Sequence, residues 1–464
     1  MMRETFEKLK KCKNIKEIYE VLPPAFYETG SAIMICLVLL MIVFETVTRY
    51  MTRHQSLDQM IAYFNNVGYV MIIFAIMTVI IKSVGVGNSG VKAYFRNNKQ
   101  DLLFLLFLSY ALMATLFSKD KNTAFFGDWY RNCGLRTYFI FAAIYICGKN
   151  IRYQQKINNR IKQYIYGGFL IVCTIQNLLF ITKYLGYFGS KTGAFYNTNH
   201  SAYFMTIAIC AGIGYISESR NMVIKIVGVV FYTVNISCLI LNNTFGCYLA
   251  LIFAFVFMIA ISLVKTKKIK LEIMICIFLF IAVSIMIDQK SGIVSSNFGV
   301  TANDVAVISS EEGDIGNAGT GRMKLWIDNM KYVKKHPVIG CGPDCITEIN
   351  IDQYGNDVET EDVQDLNGNE DITFLREPHN EYLQFAGEIG PAASFAYVLA
   401  LVLIFLKRIA KIKNTDDSVV YDGGAVFGYC VSAFFGVVMF YTEVFFFIFL
   451  GMVSSDEKTE HEMN

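Results

Sequence analysis

Apolar residues in this chain come in long unbroken runs rather than in alternation, and the runs are the length of membrane-crossing helices, about 20 residues each. Twelve of them fall at 31–49, 67–86, 101–118, 135–148, 164–184, 199–217, 223–241, 245–264, 270–288, 385–406, 424–440 and 441–453. One long interruption, 289–380, separates the ninth run from the tenth. The pattern predicts an all-α polytopic membrane protein with about twelve transmembrane helices. Its expected order is a cytoplasmic N-terminal tail at 1–30, nine spans within 31–288, a large extracytoplasmic loop with short helices at 289–380, three spans within 381–453 and a cytoplasmic C-terminal tail at 454–464.

Composition agrees with the bilayer as solvent. Of 464 residues, 54% are hydrophobic, 14% aromatic and only 17% charged, with a mean hydropathy of +0.41, which excludes an ordinary soluble domain of this size. The net charge of +2 says less than its placement. Basic residues cluster in alternate connections: Lys92, Arg96 and Lys99; Lys149, Arg152, Lys156, Arg160 and Lys162; Lys265, Lys267, Lys268 and Lys270; Lys407, Arg408, Lys411 and Lys413. Positive charge favours the cytoplasmic face, and all four clusters share that face if both termini are cytoplasmic. The 289–380 segment then lies outside. The first 30 residues interleave lysines with glutamates, and no small-residue cleavage site follows the first run, so they read as an amphipathic or loose tail rather than a cleaved signal peptide.

Most cysteines fall inside spans, where a thiol behaves as a small hydrophobe. Cys133, Cys341 and Cys345 fall outside, and the Cys-x-x-x-Cys spacing of the last two is a weak disulfide signal.

The outer segment holds most of the candidate chemistry. Its middle, Asp344 to Asp371, has ten carboxylates and no lysine or arginine and reads as a solvated loop. Asp365, Asn367, Asn369 and Asp371 alternate like the start of a calcium loop, but Glu370 stands where such a loop needs glycine. Before it, Trp326, Met330 and Val333 predict a helix over about 323–335, stopped by Pro337; Gly340 and Gly342 read as a turn. Arg322 opens that helix after a glycine-rich stretch, where free N–H groups and a guanidinium fork suit phosphate oxygens.

Further polar groups converge on the same face. Arg131 and Arg136 sit close to the membrane after the third span, on the side where positive charge is disfavoured, and ask for an anionic partner or a lipid headgroup. Asn197, Asn199 and His200 open the sixth span; an asparagine there caps a helix or hydrogen-bonds sugar hydroxyls, with Tyr196 stacking beside it. In Arg376–Gly390, Pro378 suits a first helical position, placing His379 in a first turn whose dipole, together with Arg376 and Arg322, keeps its imidazole neutral and able to take a proton. Asn380 follows it. Glu388 precedes Gly390 and Pro391, which break or bend the helix, and an ionisable group at that depth reads as functional.

In order, "FFGDWYRNCGL", "GAFYNTNHSAYFM", "GTGRMKLWIDNMKYVKKHPVIGCGP" and "PHNEYLQFAGEIGPAASFAYV" resemble the signature of the O-antigen ligase and polymerase superfamily from about residue 100 onward. The resemblance implies a GT-C-like fold in the bacterial cytoplasmic membrane and an extracytoplasmic, metal-independent, inverting glycosyltransferase with no cofactor. Its donor would be an undecaprenyl-diphosphate-linked glycan and its acceptor a glycan or lipid hydroxyl in cell-surface polysaccharide or capsule assembly. It implies His379 as the catalytic histidine and Arg322 as a donor-diphosphate ligand. One position departs: Thr244, Phe245 and Gly246 stand where relatives often have Ser-Arg-Gly, leaving Arg131, Arg136 or Arg376 to supply that charge. Asn380, Asn197, Asn199, Glu388 and Trp326 are the expected supporting or glycan-binding groups. The competing class is a transporter or flippase of lipid-linked glycans, but inverted repeats, frequent in transporters, are not visible in the chain.

Overall fold

The computed structural model describes residues 2–52, 57–151, 159–219, 221–310, 318–319, 321–351, 373–415 and 417–455. Within them the chain is a helical bundle. Two short helices, α1 (Met2–Leu9) and α2 (Ile15–Val21), lead into α3 (Pro24–Thr52), α4 (Leu57–Asn97) and α5 (Lys99–Phe117). A short α6 (Lys121–Phe126) precedes α7 (Leu135–Asn150), α8 (Asn159–Tyr184), α9 (Thr198–Glu218), α10 (Met222–Asn242), α11 (Phe245–Thr266) and α12 (Leu271–Ser291). Then come α13 (Ile293–Ser310), α14 (Arg322–Lys335), α15 (Glu381–Glu388), α16 (Pro391–Lys411), α17 (Ser418–Ser432) and α18 (Phe440–Ser454). A two-residue antiparallel ladder pairs Asn350 with Phe374 and Ile351 with Thr373.

Among the described residues nine helices are long and apolar enough to cross a membrane. With α7, α9 and α18 they match the twelve apolar runs one for one. The division has a physical cause. Helices such as α4 and α12 turn Ile73, Ile76, Phe278 and Ile285 outward, where apolar exposure is stable only against lipid. The central helices are enclosed by protein instead: α7 packs on α18, and α17 on both α9 and α11. Enclosure relaxes the need for length and apolarity, so Thr442, Glu443 and Gln384 lie in the interior.

The α7–α18 crossing is close because both helices present glycine. A Cβ on Gly148 would lie 2.6 Å from the Ile448 carbonyl oxygen, and one on Gly451 would lie 2.4 Å from that of Tyr145. Gly451→Val is expected to separate the two central helices, at about 1–3 kcal/mol or more of overpacking strain. A depressed thermal unfolding midpoint in detergent would show it; an unchanged midpoint would contradict the packing described.

Two segments outside the apolar runs are partly helical. The N-terminal tail is partly folded: α2 packs on α4, with Asn14 capping it by accepting from the Glu17 amide at 2.9 Å. The segment after 289 is not loop at its start, because the chain turns at Gly292 and continues as α13. This helix lies over the α10–α11 turn, with Asn297 Nδ2 donating to Asn243 Oδ1 at 2.6 Å and Phe298 edge-on to Phe245. The acidic stretch with the calcium-like spacing at 365–371 lies outside the described residues. Cys341 and Cys345 are unpaired thiols.

Candidate functional site

The site is assembled where α14 and α15 cover one end of the bundle. The Gly-Cys-Gly turn does more than reverse the chain. Its three amides donate to the carbonyls that α15 leaves open: Gly340 to Ile389 at 3.3 Å, Cys341 to Gly387 at 3.1 Å and Gly342 to Glu388 at 2.8 Å. Close approach makes glycine necessary at 340, where a Cβ would stand 2.0 Å from the Gly387 oxygen.

From the other side, α14 holds the strand leading to His379. The Trp326 indole donates to the Pro378 carbonyl at 2.7 Å, and Asn329 Nδ2 donates to that of Arg376 at 2.9 Å. His379 follows with φ of +47°, a conformation that costs a non-glycine residue on the order of 1 kcal/mol and persists only where neighbours impose it. Asn380 then caps α15, accepting from the Leu383 amide at 3.1 Å. The helix therefore begins at Glu381, not at Pro378. The asparagine side chain competes better than proline for that terminus, and His379 sits just outside the first turn. The break at Gly390 and Pro391 is as expected, with Pro391 opening α16.

His379 is half-buried, and its Nδ1 is enclosed without a hydrogen-bond partner among the described residues. Burial, and then the Arg322 charge, hold its pKa below the ordinary imidazole value, while Glu377 works weakly the other way. Arg322 opens α14 after a left-handed Gly321, and its charge reaches His379, Tyr203 and Cys247. Cys247 lies in the first turn of α11, beside the sequence position where the expected arginine is missing. Arg376 is exposed. Among the described residues, no carboxylate forms an ion pair with Arg322 or Arg376.

Arg131 is placed differently. It is buried, with Nε 2.7 Å from Asp344 Oδ1 and Nη1 2.6 Å from Glu377 Oε1, and Nη2 donates to the Asp344 carbonyl at 3.2 Å. Although burial opposes its charge, Asp344, Glu388 and Glu377 together raise its pKa above the usual arginine value. Asp344 also accepts from the Asp128 amide at 2.6 Å and the Cys133 amide at 2.9 Å. This cluster ties the α5–α7 connection to the residues just before His379. Arg136 lies farther out, donating to the Phe126 carbonyl at 2.8 Å and to Asn132 Oδ1 at 2.7 Å.

Asn197 caps α9, accepting from the Asn199 amide at 2.8 Å, and Asn199 is partly exposed beside it. Tyr196 is held by Glu45, which accepts its hydroxyl at 2.6 Å, with Arg49 stacked on its ring at 4.9 Å. Glu388 is enclosed at the end of α15, accepting from Gln384 Nε2 at 3.0 Å; burial raises its pKa, with Arg131 opposing.

Asp344 and Asn329 are the residues that sequence reasoning did not single out. Neither has a local signal, since one sits at the edge of an acidic run and the other on a helix face that looks merely polar. Glu381 belongs with them: fully enclosed, it accepts from Tyr397 at 3.2 Å and Tyr429 at 3.3 Å, and Tyr429 also donates to Glu443. These contacts anchor α15 in the bundle.

A cavity of about 510 Å³ starts at Trp326 and Asn380 and runs past Leu383 between Val402 and Phe405 of α16 and Phe427 of α17. Its walls are almost wholly apolar. It reaches from Asn380 to Val398 and Val402, which are exposed on the outer face of α16.

No curated protein matches the chain. The family model described as O-antigen ligase matches residues 205–398, a narrower range than the resemblance read from about residue 100, and one that contains Arg322, Trp326, Arg376 and His379. Over residues 205–398, the stretch that carries these site residues, the chain is similar to the O-antigen ligase family.

Proposed function

We propose that this membrane protein works in glycan assembly as an extracytoplasmic glycosyltransferase, moving a glycan from an undecaprenyl-diphosphate-linked donor to an acceptor hydroxyl. The observation that carries the reading is the meeting of a neutral imidazole with cations that have no carboxylate partner among the described residues. His379 lies within the field of Arg322, and Arg376 is three residues away. In the proposed orientation both termini are cytoplasmic and this end of the bundle faces outward from the bacterial cytoplasmic membrane, which the basic loops support.

The chemistry follows from the charges. His379 takes the proton from the acceptor hydroxyl, and the oxygen attacks the anomeric carbon from the face opposite the diphosphate, inverting it. The bond from carbon to the phosphate oxygen breaks and its electron pair leaves with the lipid diphosphate. Negative charge grows on that group, and Arg322 and Arg376 neutralise it without calling on a metal ion. Arg131, already matched by Asp344 and Glu377, serves by positioning the His379 strand, and Arg136 holds the loop behind it. Asn380, Asn199 and Trp326 border the space for glycan, while Asn197 and Glu388 support the helix ends. The apolar cavity beginning at Asn380 is suited to the first isoprene units of a lipid carrier.

Arg322→Ala is expected to lower kcat/KM by about 30- to 1,000-fold, corresponding to roughly 2–4 kcal/mol of transition-state stabilisation, and Arg322→Lys to recover part of it. Steady-state rates at varied donor concentration measure this. The test of the reading itself is transfer by purified protein in nanodiscs supplied with lipid-diphosphate-linked repeat units. A ladder of lengthening chains identifies a polymerase and a single addition to a supplied acceptor identifies a ligase. No product with any acceptor would overturn the reading.

A further inference from the structure

His200 lies in the first turn of α9 and is 1% exposed. Its ring stands edge-on to Tyr203 and Tyr441, with centroids 5.2 and 5.7 Å away, so its orientation is set by packing. Its Nδ1 is nevertheless enclosed without a hydrogen-bond partner among the described residues, and so is Nδ1 of His379. An enclosed polar nitrogen left unpaired costs on the order of 1–3 kcal/mol, and one of the two is the nitrogen behind the proposed base.

The helix that carries His200 and the helix that follows His379 bond to one stretch of chain. Tyr203, one turn below His200, donates its hydroxyl to the Phe435 carbonyl at 2.8 Å. The Val438 amide donates to Gln384 Oε1 at 3.0 Å, in the first turn of α15. The 435–438 stretch is therefore gripped by α9 on one side and by the helix that follows His379 on the other.

We propose that His200 is the positioning residue for His379: a hydrogen-bonded link through one buried water runs from His379 Nδ1–H to the lone pair of His200 Nδ1. One such link satisfies both orphaned nitrogens at once. It also fixes the tautomer. With its proton on Nδ1, His379 presents an unprotonated Nε2 to the acceptor hydroxyl, the form a general base needs. Among the described residues no carboxylate is hydrogen-bonded to Nδ1 of this ring, and a neutral acceptor there orients it without raising its basicity as a carboxylate would. The inference rests on the glycosyl-transfer reading, with His379 as base.

The test compares wild type, His379→Ala, His200→Leu and His200→Asn in the nanodisc transfer assay. His200→Leu is expected to lower kcat about tenfold, the equivalent of one hydrogen bond, with both KM values within about twofold of wild type. His200→Asn places an amide oxygen near the lost Nδ1 and is expected to restore kcat to within about threefold. Wild-type kcat in His200→Leu, with His379→Ala inactive, would overturn the role of His200 and leave the reaction standing. Wild-type kcat in His379→Ala would overturn the reaction mechanism itself. A second readout needs no His200 variant: nitrogen NMR of histidine-labelled wild type, assigned by loss of one signal in His379→Gln. A proton on Nδ1 of His379 is expected; a proton on Nε2 of the neutral ring would refute the proposal.

Discussion

His379→Ala is expected to reduce turnover by about 100- to 10,000-fold, the span over which a positioned general base contributes, while the protein still inserts and unfolds at the wild-type temperature. The structural reason for the second half is that His379 holds little together. Its strand is fixed by backbone carbonyls bonded to Trp326 and Asn329, and α15 is capped by Asn380, so none of these contacts needs the imidazole. A large loss of rate without a loss of stability separates a chemical role from a structural one, and equal rates in the two proteins would remove His379 from the mechanism.

The pH profile carries the same argument. Only the neutral imidazole accepts a proton, so activity falls as pH drops through the pKa of His379. Burial and Arg322 lower that pKa, so the acid limb should lie below the ordinary imidazole value of about 6.5. Removing the nearby cation in Arg322→Gln should move the limb toward higher pH. A limb unmoved by that change would contradict the coupling.

Asp344→Ala is the second large effect, and it is one of stability. This carboxylate is the main charge partner of buried Arg131 and the acceptor for the Asp128 and Cys133 amides. Deleting it leaves a buried cation whose one remaining ion pair is with the half-exposed Glu377, with Glu388 near it. Breaking a buried pair from one side costs about 3–5 kcal/mol, whereas replacing both members with apolar groups costs far less. The double variant Arg131→Met, Asp344→Leu is therefore expected to unfold at a higher temperature than Asp344→Ala. The reverse order would mean that the pair is not the strut described here.

Much of this architecture was legible in the sequence because the bilayer makes hydropathy a strong signal. The twelve apolar runs, the helix at 322–335, the Gly390–Pro391 break and the capping by Asn197 all follow from local patterns. What was not legible depends on contacts across the chain. Nothing near Arg131 in sequence reveals that its partners are Asp344 and Glu377, more than 200 positions away, and so it read as a free cation. Pro378 looked like a helix start because the competing cap, Asn380, and the pull of Trp326 on the Pro378 carbonyl cannot be weighed from spacing alone. His200 stood in view at the start of α9, but only the fold sets α9 and α15 against the same 435–438 stretch.

Glycosyl transfer cleaves the lipid carrier from its glycan, whereas transport moves the two together. The most direct measurement follows the carrier: purified protein in sealed proteoliposomes receives lipid-diphosphate-linked glycan and an acceptor, and the lipid products are weighed by mass spectrometry. One free lipid diphosphate for each new glycosidic bond, absent in His379→Ala, is the predicted result. Intact lipid-linked glycan crossing the bilayer with no diphosphate released would contradict the account and make the protein a transporter.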